Sequence, residues 1–209
     1  MVNRSPSTRG RFIALEGVDG SGKSTQARLL ADALRTRGIE VCETREPGGT
    51  QLGEAVRALV LATGPDTLSD AAEVYLFAAA RAQHVAERIR PALQEGIWVV
   101  CDRFVDSSLA YQGVARGIGI DAVASANALA VDDCVPDLVI VIEVPDAMSA
   151  GRRRGRDRIE AAGNDFQVAV ATGYRELVAR APGRCRLING EGTPDEVHAR
   201  VMDALAGIL

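Results

Sequence analysis

Residues 17–24 read Gly17-Val18-Asp19-Gly20-Ser21-Gly22-Lys23-Ser24 and satisfy G-x-x-x-x-G-K-[ST] at every fixed position. A loop of this kind wraps phosphate oxygens in backbone N–H groups. It works only between a strand and a helix whose N-terminus adds partial positive charge. The flanks meet that demand. Phe12–Glu16 is a short, mostly apolar run, as a buried parallel strand is. Residues 24–37 carry Leu29, Leu30, Ala33 and Leu34 at helical spacing, and Gly38 follows as a C-cap. Lys23 is the sole lysine; the rest of the 24 basic residues are arginine. The retained ammonium has a physical reason. A compact point charge reaches the β- and γ-phosphates where a planar guanidinium on a longer stem does not fit. Ser24 would offer its hydroxyl to Mg²⁺. The pattern implies a bound nucleoside triphosphate and leaves its use open.

Further strand-like runs follow at 40–44, 97–101, 138–144 and 186–188. Amphipathic segments lie between them, at 52–61, 70–94, 121–131, 147–154, 165–180 and 194–208. Such alternation predicts an α/β chain: a parallel five-stranded sheet flanked by helices. Ligands then bind outside the carboxyl ends of the strands. No repeat or linker divides the 209 residues, so 11–209 reads as one domain. The polar stretch 1–10, with Pro6 and no apolar core, reads as a frayed tail rather than a secretory signal.

Composition excludes several roles. A net charge of −4 supplies no overall basic field for nucleic acid. No run of 18 apolar residues is present, so no membrane span is expected. Cys42, Cys101, Cys134 and Cys185 form no C-x-x-C pair, and free thiols in a reducing cytoplasm are the expectation. His84 and His198 stand apart and are expected on helix surfaces rather than around a metal.

Four more clusters bear on chemistry. Thr44-Arg45-Glu46-Pro47-Gly48-Gly49-Thr50 follows the second strand; Arg45 is an anion clamp or a solvated turn residue. Asp102-Arg103-Phe104 follows the third. Asp102 suits a Walker-B carboxylate facing Ser24 through Mg²⁺, or a helix cap, and Arg103 would aim at a phosphate. Ser107, Ser108, Tyr111 and Gln112 come next and suit a small polar ligand. Phe77 and Arg81 lie four apart and share a helix face, so they either hold a base or divide into core and surface. Finally, Arg152-Arg153-Arg154-Gly155-Arg156-Asp157-Arg158 is a nucleic-acid patch or, with no aromatics interleaved, a lid over a transferring phosphoryl group.

Together these motifs resemble the thymidylate kinases over nearly the whole chain, and the run from Asp102 to Gly113 is the most diagnostic. The resemblance implies a P-loop nucleoside monophosphate kinase fold with an Arg-rich lid at about 150–165. It implies ATP-dependent phosphorylation of dTMP, with Mg²⁺, in a cytoplasmic homodimer. Residues 17–25, through Thr25, would bind ATP. Asp19 would meet the sugar 3′-hydroxyl. Arg57 and Arg103 would hold the 5′-phosphate, with Arg45 close by. Phe77 would stack on thymine and Arg81 reach a thymine carbonyl, with Ser107, Ser108 and Gln112 completing the contacts. Tyr111 would fill the place of a ribose 2′-hydroxyl. Ser24 and Asp102 would hold the metal. Lys23, Asp19, Arg103 and a lid arginine, Arg153 or Arg156, would carry catalysis. Phe104 stands where many relatives have tyrosine or histidine. A sibling monophosphate or deoxynucleoside kinase, and a P-loop switch without chemistry, are the rival readings. Paired Arg57 and Arg103 argue for an acceptor that brings its own phosphate.

Overall fold

Strands β1 (Phe12–Glu16), β2 (Val41–Arg45), β3 (Trp98–Asp102), β4 (Leu138–Glu143) and β5 (Cys185–Asn189) form one parallel sheet in the order β2-β3-β1-β4-β5. The computed structural model describes residues 9–64, 68–152 and 157–209. Register sets the site. Leu15 and Arg45 both pair with Asp102, so β1, β2 and β3 end at one level. The phosphate-binding loop leaves the central strand at that edge.

Between the strands run α1 (Lys23–Thr36), α2 (Gln51–Leu61), α3 (Asp70–His84), α4 (Arg90–Gln94), α5 (Val105–Ser108), α6 (Ile120–Val131), α7 (Asp146–Arg152), α8 (Asn164–Arg180) and α9 (Pro194–Ala204). Alternation along β1 divides the core. Ile13 and Leu15 face α1 and α9, meeting Leu30, Leu34, Val201 and Leu205, which are fully buried. Phe12 and Ala14 face the other way, toward Ile89, Leu93, Phe104, Tyr111 and Tyr174. Each buried leucine on α1 contributes roughly 1.5–3 kcal/mol, well above any difference in helix propensity. Packing therefore fixes this helix on the sheet and aims its N-terminus at the site.

The predicted helix 70–94 is three pieces, with a wide π-turn at Val85–Ile89 between α3 and α4. Pro91 has no N–H to give the carbonyl four residues back, and the ladder widens before it. Residues 105–115, read only as ligand contacts, are also helical: α5 runs into a π-helical Leu109–Ala115. His84 is not a surface residue. It is fully buried, with Nδ1 2.9 Å from Glu46 Oε1 and Nε2 2.7 Å from Thr44 Oγ1. Of the supposed tail, Gly10 is buried and donates to the Leu93 carbonyl, and Arg9 pairs with Asp137. Residues 1–8 lie outside the described part.

Candidate active site

The phosphate loop closes on α1 through Gly22, which caps the helix at φ 92° with no side-chain hydrogen bond. Its first amides are thus left for an anion. Gly20 has φ 83°, and a Cβ there would come within 2.6 Å of the Ser149 carbonyl, so only glycine fits. Lys23 is buried, with Nζ 3.3 Å from the Val18 carbonyl and 3.8 Å from Asp19. Burial, then the neighbouring Arg103, lowers its pKa. An ammonium disfavoured in this way is stabilised by an arriving anion.

At the end of β3, Arg103 has φ 73°, left-handed backbone that costs a non-glycine residue roughly 1–3 kcal/mol. The guanidinium folds back over the loop. It donates to Gly17 O (3.1 Å), Ser107 Oγ (3.1 Å), Tyr174 Oη (3.3 Å), Tyr111 Oη (3.0 Å) and Asp19 Oδ1 (2.5 Å). Burial alone would raise the Asp19 carboxyl, but Arg103 and Lys23 hold it down to about 2. Asp19 Oδ2 also accepts from Tyr111 (3.1 Å) and from Gln167 of α8 (3.1 Å). Asp19 is therefore an anion in a cage of donors.

Beneath them lies Glu16, which is fully buried. It accepts from the amides of Phe104 (2.7 Å) and Ser107 (3.2 Å), the Ser107 hydroxyl (2.5 Å) and the Tyr174 hydroxyl (2.9 Å). Burial and the Asp106 carboxylate push it up to about 7. Glu16 ties β1 to the chain after β3, and it does not line the cavity.

That cavity has an empty volume of about 570 Å³, open mouth included. Asp19, Arg57, Phe77, Arg81, Arg103, Ser107, Ser108, Tyr111 and Gln112 all line it. Glu46, Pro47, Leu61, Phe104, Asp157 and Ile159, which the sequence did not single out for this role, complete the wall. Arg81 is almost fully buried. Its Nε donates to Glu46 (2.8 Å), Nη2 to the Phe104 carbonyl and Ser108 Oγ (3.2 Å each), and Nη1 to Asn127. Among the described residues four of its five N–H groups find acceptors, and one on Nη1 does not. Phe104 is fully buried between Phe12, ring centroids 4.9 Å apart, and the Arg81 guanidinium, 5.4 Å from its centroid. Arg57 donates to the Pro47 carbonyl (3.1 Å) and makes no ion pair among the described residues; burial and nearby Arg45 lower its pKa. Unlike Lys23, which has Asp19 beside it, Arg57 has no ion-pair partner among the described residues.

Arg45 does not join this cavity. Both Glu54 oxygens hold its Nη2 at 2.9 Å, and it lines a neighbouring groove with Ser24 and Asp102. The proximity of Glu54, one turn into α2, outweighs the pocket. The Ser24 hydroxyl donates to Asp102 Oδ2, while Oδ1 is buried without a partner. A hydroxyl beside an under-coordinated carboxylate at a phosphate loop suits a hydrated Mg²⁺, which needs few protein ligands. No cluster of three or more His, Cys, Asp or Glu is present among the described residues.

The expected lid is described in part. Arg153, Arg154 and Arg156 lie outside the described residues. Arg152 is exposed, 3.4 Å from the Gly20 carbonyl. Arg158 turns away from the phosphate loop and binds the Val60 carbonyl (3.0 Å) and Glu73 (2.6 Å).

A family model described as thymidylate kinase matches residues 15–201. The chain is 48% identical to a thymidylate kinase of Rhizorhabdus wittichii, over 96% of this chain and 99% of that one. It is 47% identical to one of Pelotomaculum thermopropionicum, over 96% and 95%. Its fold matches the crystal structure of thymidylate kinase from Ehrlichia chaffeensis with a TM-score of 0.78 and 34% identity, covering 94% of this chain and 98% of that one.

Proposed function

The chain belongs to the thymidylate kinase family, and on that premise we propose that it phosphorylates dTMP to dTDP with ATP as donor, in the cavity beside Lys23. The observation that carries this is the meeting of two unlike halves. Phe77, Arg81, Ser108 and Gln112 offer a ring face and polar groups at one end; Arg57, Arg103 and the phosphate loop gather cations at the other.

The dTMP phosphate is already an anion, so no strong base is needed. The barrier is repulsion between two polyanions brought in line. Lys23 and the amides of the loop meet the ATP phosphates. Arg57, which makes no ion pair among the described residues, meets the dTMP phosphate. Arg103 does so while staying paired with Asp19, and Tyr111 buttresses both. Asp19 faces the sugar and accepts from its 3′-hydroxyl. Arg81 gives its spare N–H to a thymine carbonyl, and Phe77 stacks on the ring. Ser24 and Asp102 would hold a Mg²⁺, which would supply positive charge to neutralise the donor phosphates. A lid arginine, Arg153 or Arg156, brings charge to the transferring group. A preorganised set of this kind stabilises charge where it develops without reorganising during the reaction.

The protein acts as a cytoplasmic homodimer. Four free thiols suit a reducing compartment, and exposed Leu59, Tyr75 and Leu129 on α2, α3 and α6 suit a partner copy. No helix among the described residues is long and apolar enough to cross a membrane. Sedimentation tests the dimer. The function is tested by a coupled assay with MgATP and dTMP, dUMP, dCMP, AMP and thymidine. The expected order places dTMP first and leaves thymidine unphosphorylated; equal use of thymidine or AMP contradicts it.

A further inference from the structure

Helix α3 carries Glu73, Phe77 and Arg81 at successive four-residue steps, and so on one stripe. Phe77 and Arg81 line the cavity; Glu73 does not. Glu73 is buried, and a buried carboxylate demands partners. Its Oε2 accepts from Arg158 Nη2 (2.6 Å) and Arg116 Nη2 (3.3 Å). Its Oε1 accepts from Gln112 Nε2 (2.7 Å). Two guanidiniums thus converge on one carboxylate oxygen, and an amide nitrogen meets the other.

In every one of these contacts the Glu73 carboxylate is the acceptor. The Gln112 atom facing Glu73 must therefore be the amide nitrogen, whatever else the pocket holds. The amide carbonyl then points the opposite way. Gln112 lines the cavity, and its Oε1 has no hydrogen-bond partner among the described residues. It is also absent from the buried polar atoms left without partners, so it opens on the cavity. Glu73 thus converts an amide that could present either end into a fixed acceptor.

We propose that Glu73 is a positioning residue that sets base selectivity: by holding the Gln112 amide nitrogen, it presents the Gln112 carbonyl oxygen to the ring N–H of a pyrimidine imide. This rests on the reading of the cavity as the nucleotide acceptor pocket. A thymine or uracil ring carries a hydrogen at N3. Cytosine carries a lone pair there, which meets the fixed acceptor with repulsion and leaves both groups unsatisfied. A buried polar mismatch of this sort costs about 1–3 kcal/mol, or roughly 5- to 150-fold in selectivity. Glu73→Gln removes the constraint, because an amide at 73 can donate or accept, and the Gln112 amide is then free to turn over.

The test is the dTMP to dCMP ratio of kcat/KM in wild type, E73Q, Q112L and E73Q/Q112L, with thermal unfolding confirming the fold of each. E73Q is expected to lower the ratio about 10-fold, through a higher KM for dTMP and improved use of dCMP, with kcat for dTMP little changed. In the Q112L background the same substitution should leave the ratio unchanged, since the residue acts through Gln112. Should E73Q not fold, E73Q/R116Q removes a cation with the anion and carries the same expectation. An unaltered ratio in the folded variant, or the same loss with and without Gln112, overturns the proposal. A loosened Arg158 contact would instead lower kcat for both nucleotides together, and that pattern overturns it too. Q112L with wild-type KM and ratio removes the pocket reading itself, and the proposal with it.

Discussion

Arg103 Nη2 lies 2.5 Å from Asp19 Oδ1, joining the end of β3 to the phosphate loop across 84 residues of sequence. The pair is partly shielded, with each side chain under a fifth exposed. On the proposed reading it couples the loop assigned to ATP to the wall assigned to dTMP, so a change at either residue should be felt at both substrates. Arg103→Ala should raise the KM for dTMP and cut kcat/KM by at least about 100-fold, leaving Asp19 with the more distant Lys23 as its cation. Steady-state kinetics with dTMP varied at saturating ATP checks this.

The backbone of Arg103 gives a second expectation. At φ 73°, alanine is strained and glycine is not. Arg103→Gly should be more stable than Arg103→Ala by about 1 kcal/mol, although both lose the same guanidinium. Urea unfolding of the two variants reads the difference.

Lys23→Ala should lower kcat by several orders of magnitude while the melting temperature changes little. Among the described residues its hydrogen-bond and ion-pair partners are the Val18 carbonyl and the Asp19 carboxylate, and a lowered pKa marks a charge that the free protein does not favour. Near-normal turnover would remove Lys23 from the mechanism.

Glu16 predicts a pH effect whose sign is fixed. Its carboxyl is raised from 4.5 to about 7 by burial and Asp106. The folded chain then holds the proton more tightly than the unfolded chain. The favourable contribution is complete below about pH 4.5 and is lost as pH rises through about 7. Relative to Glu16→Gln, the wild type should lose unfolding free energy between pH 5 and pH 8. A difference that is flat, or that grows with pH, contradicts the assignment.

Legibility followed the range of the interactions. The strand, loop and helix from Phe12 to Thr36 were readable because the motif and both periodicities are local, and strand ends shifted by a residue or so. The π-turn before Pro91 was hidden because apolar spacing continues through it. The helical run 105–115 was hidden because Asp106, Ser107, Ser108 and Gln112 break the apolar period. Burial of Arg81 and His84 depends on Glu46, more than thirty residues away, and no periodicity reports that. Arg45 failed in the reverse sense: Glu54, nine residues on, holds it outside the cavity. Glu73 went unnoticed because its three partners come from 112, 116 and 158.

The central claim is that one cavity holds the acceptor nucleotide against the phosphate loop. A crystal structure with dTMP and ADP tests it most directly. The expected result is a dTMP phosphate in hydrogen-bond contact with Arg57 and Arg103, and a thymine ring against Phe77 with Arg81 and Gln112 at its edge. A dTMP bound elsewhere, or one whose phosphate points away from Lys23, would contradict it.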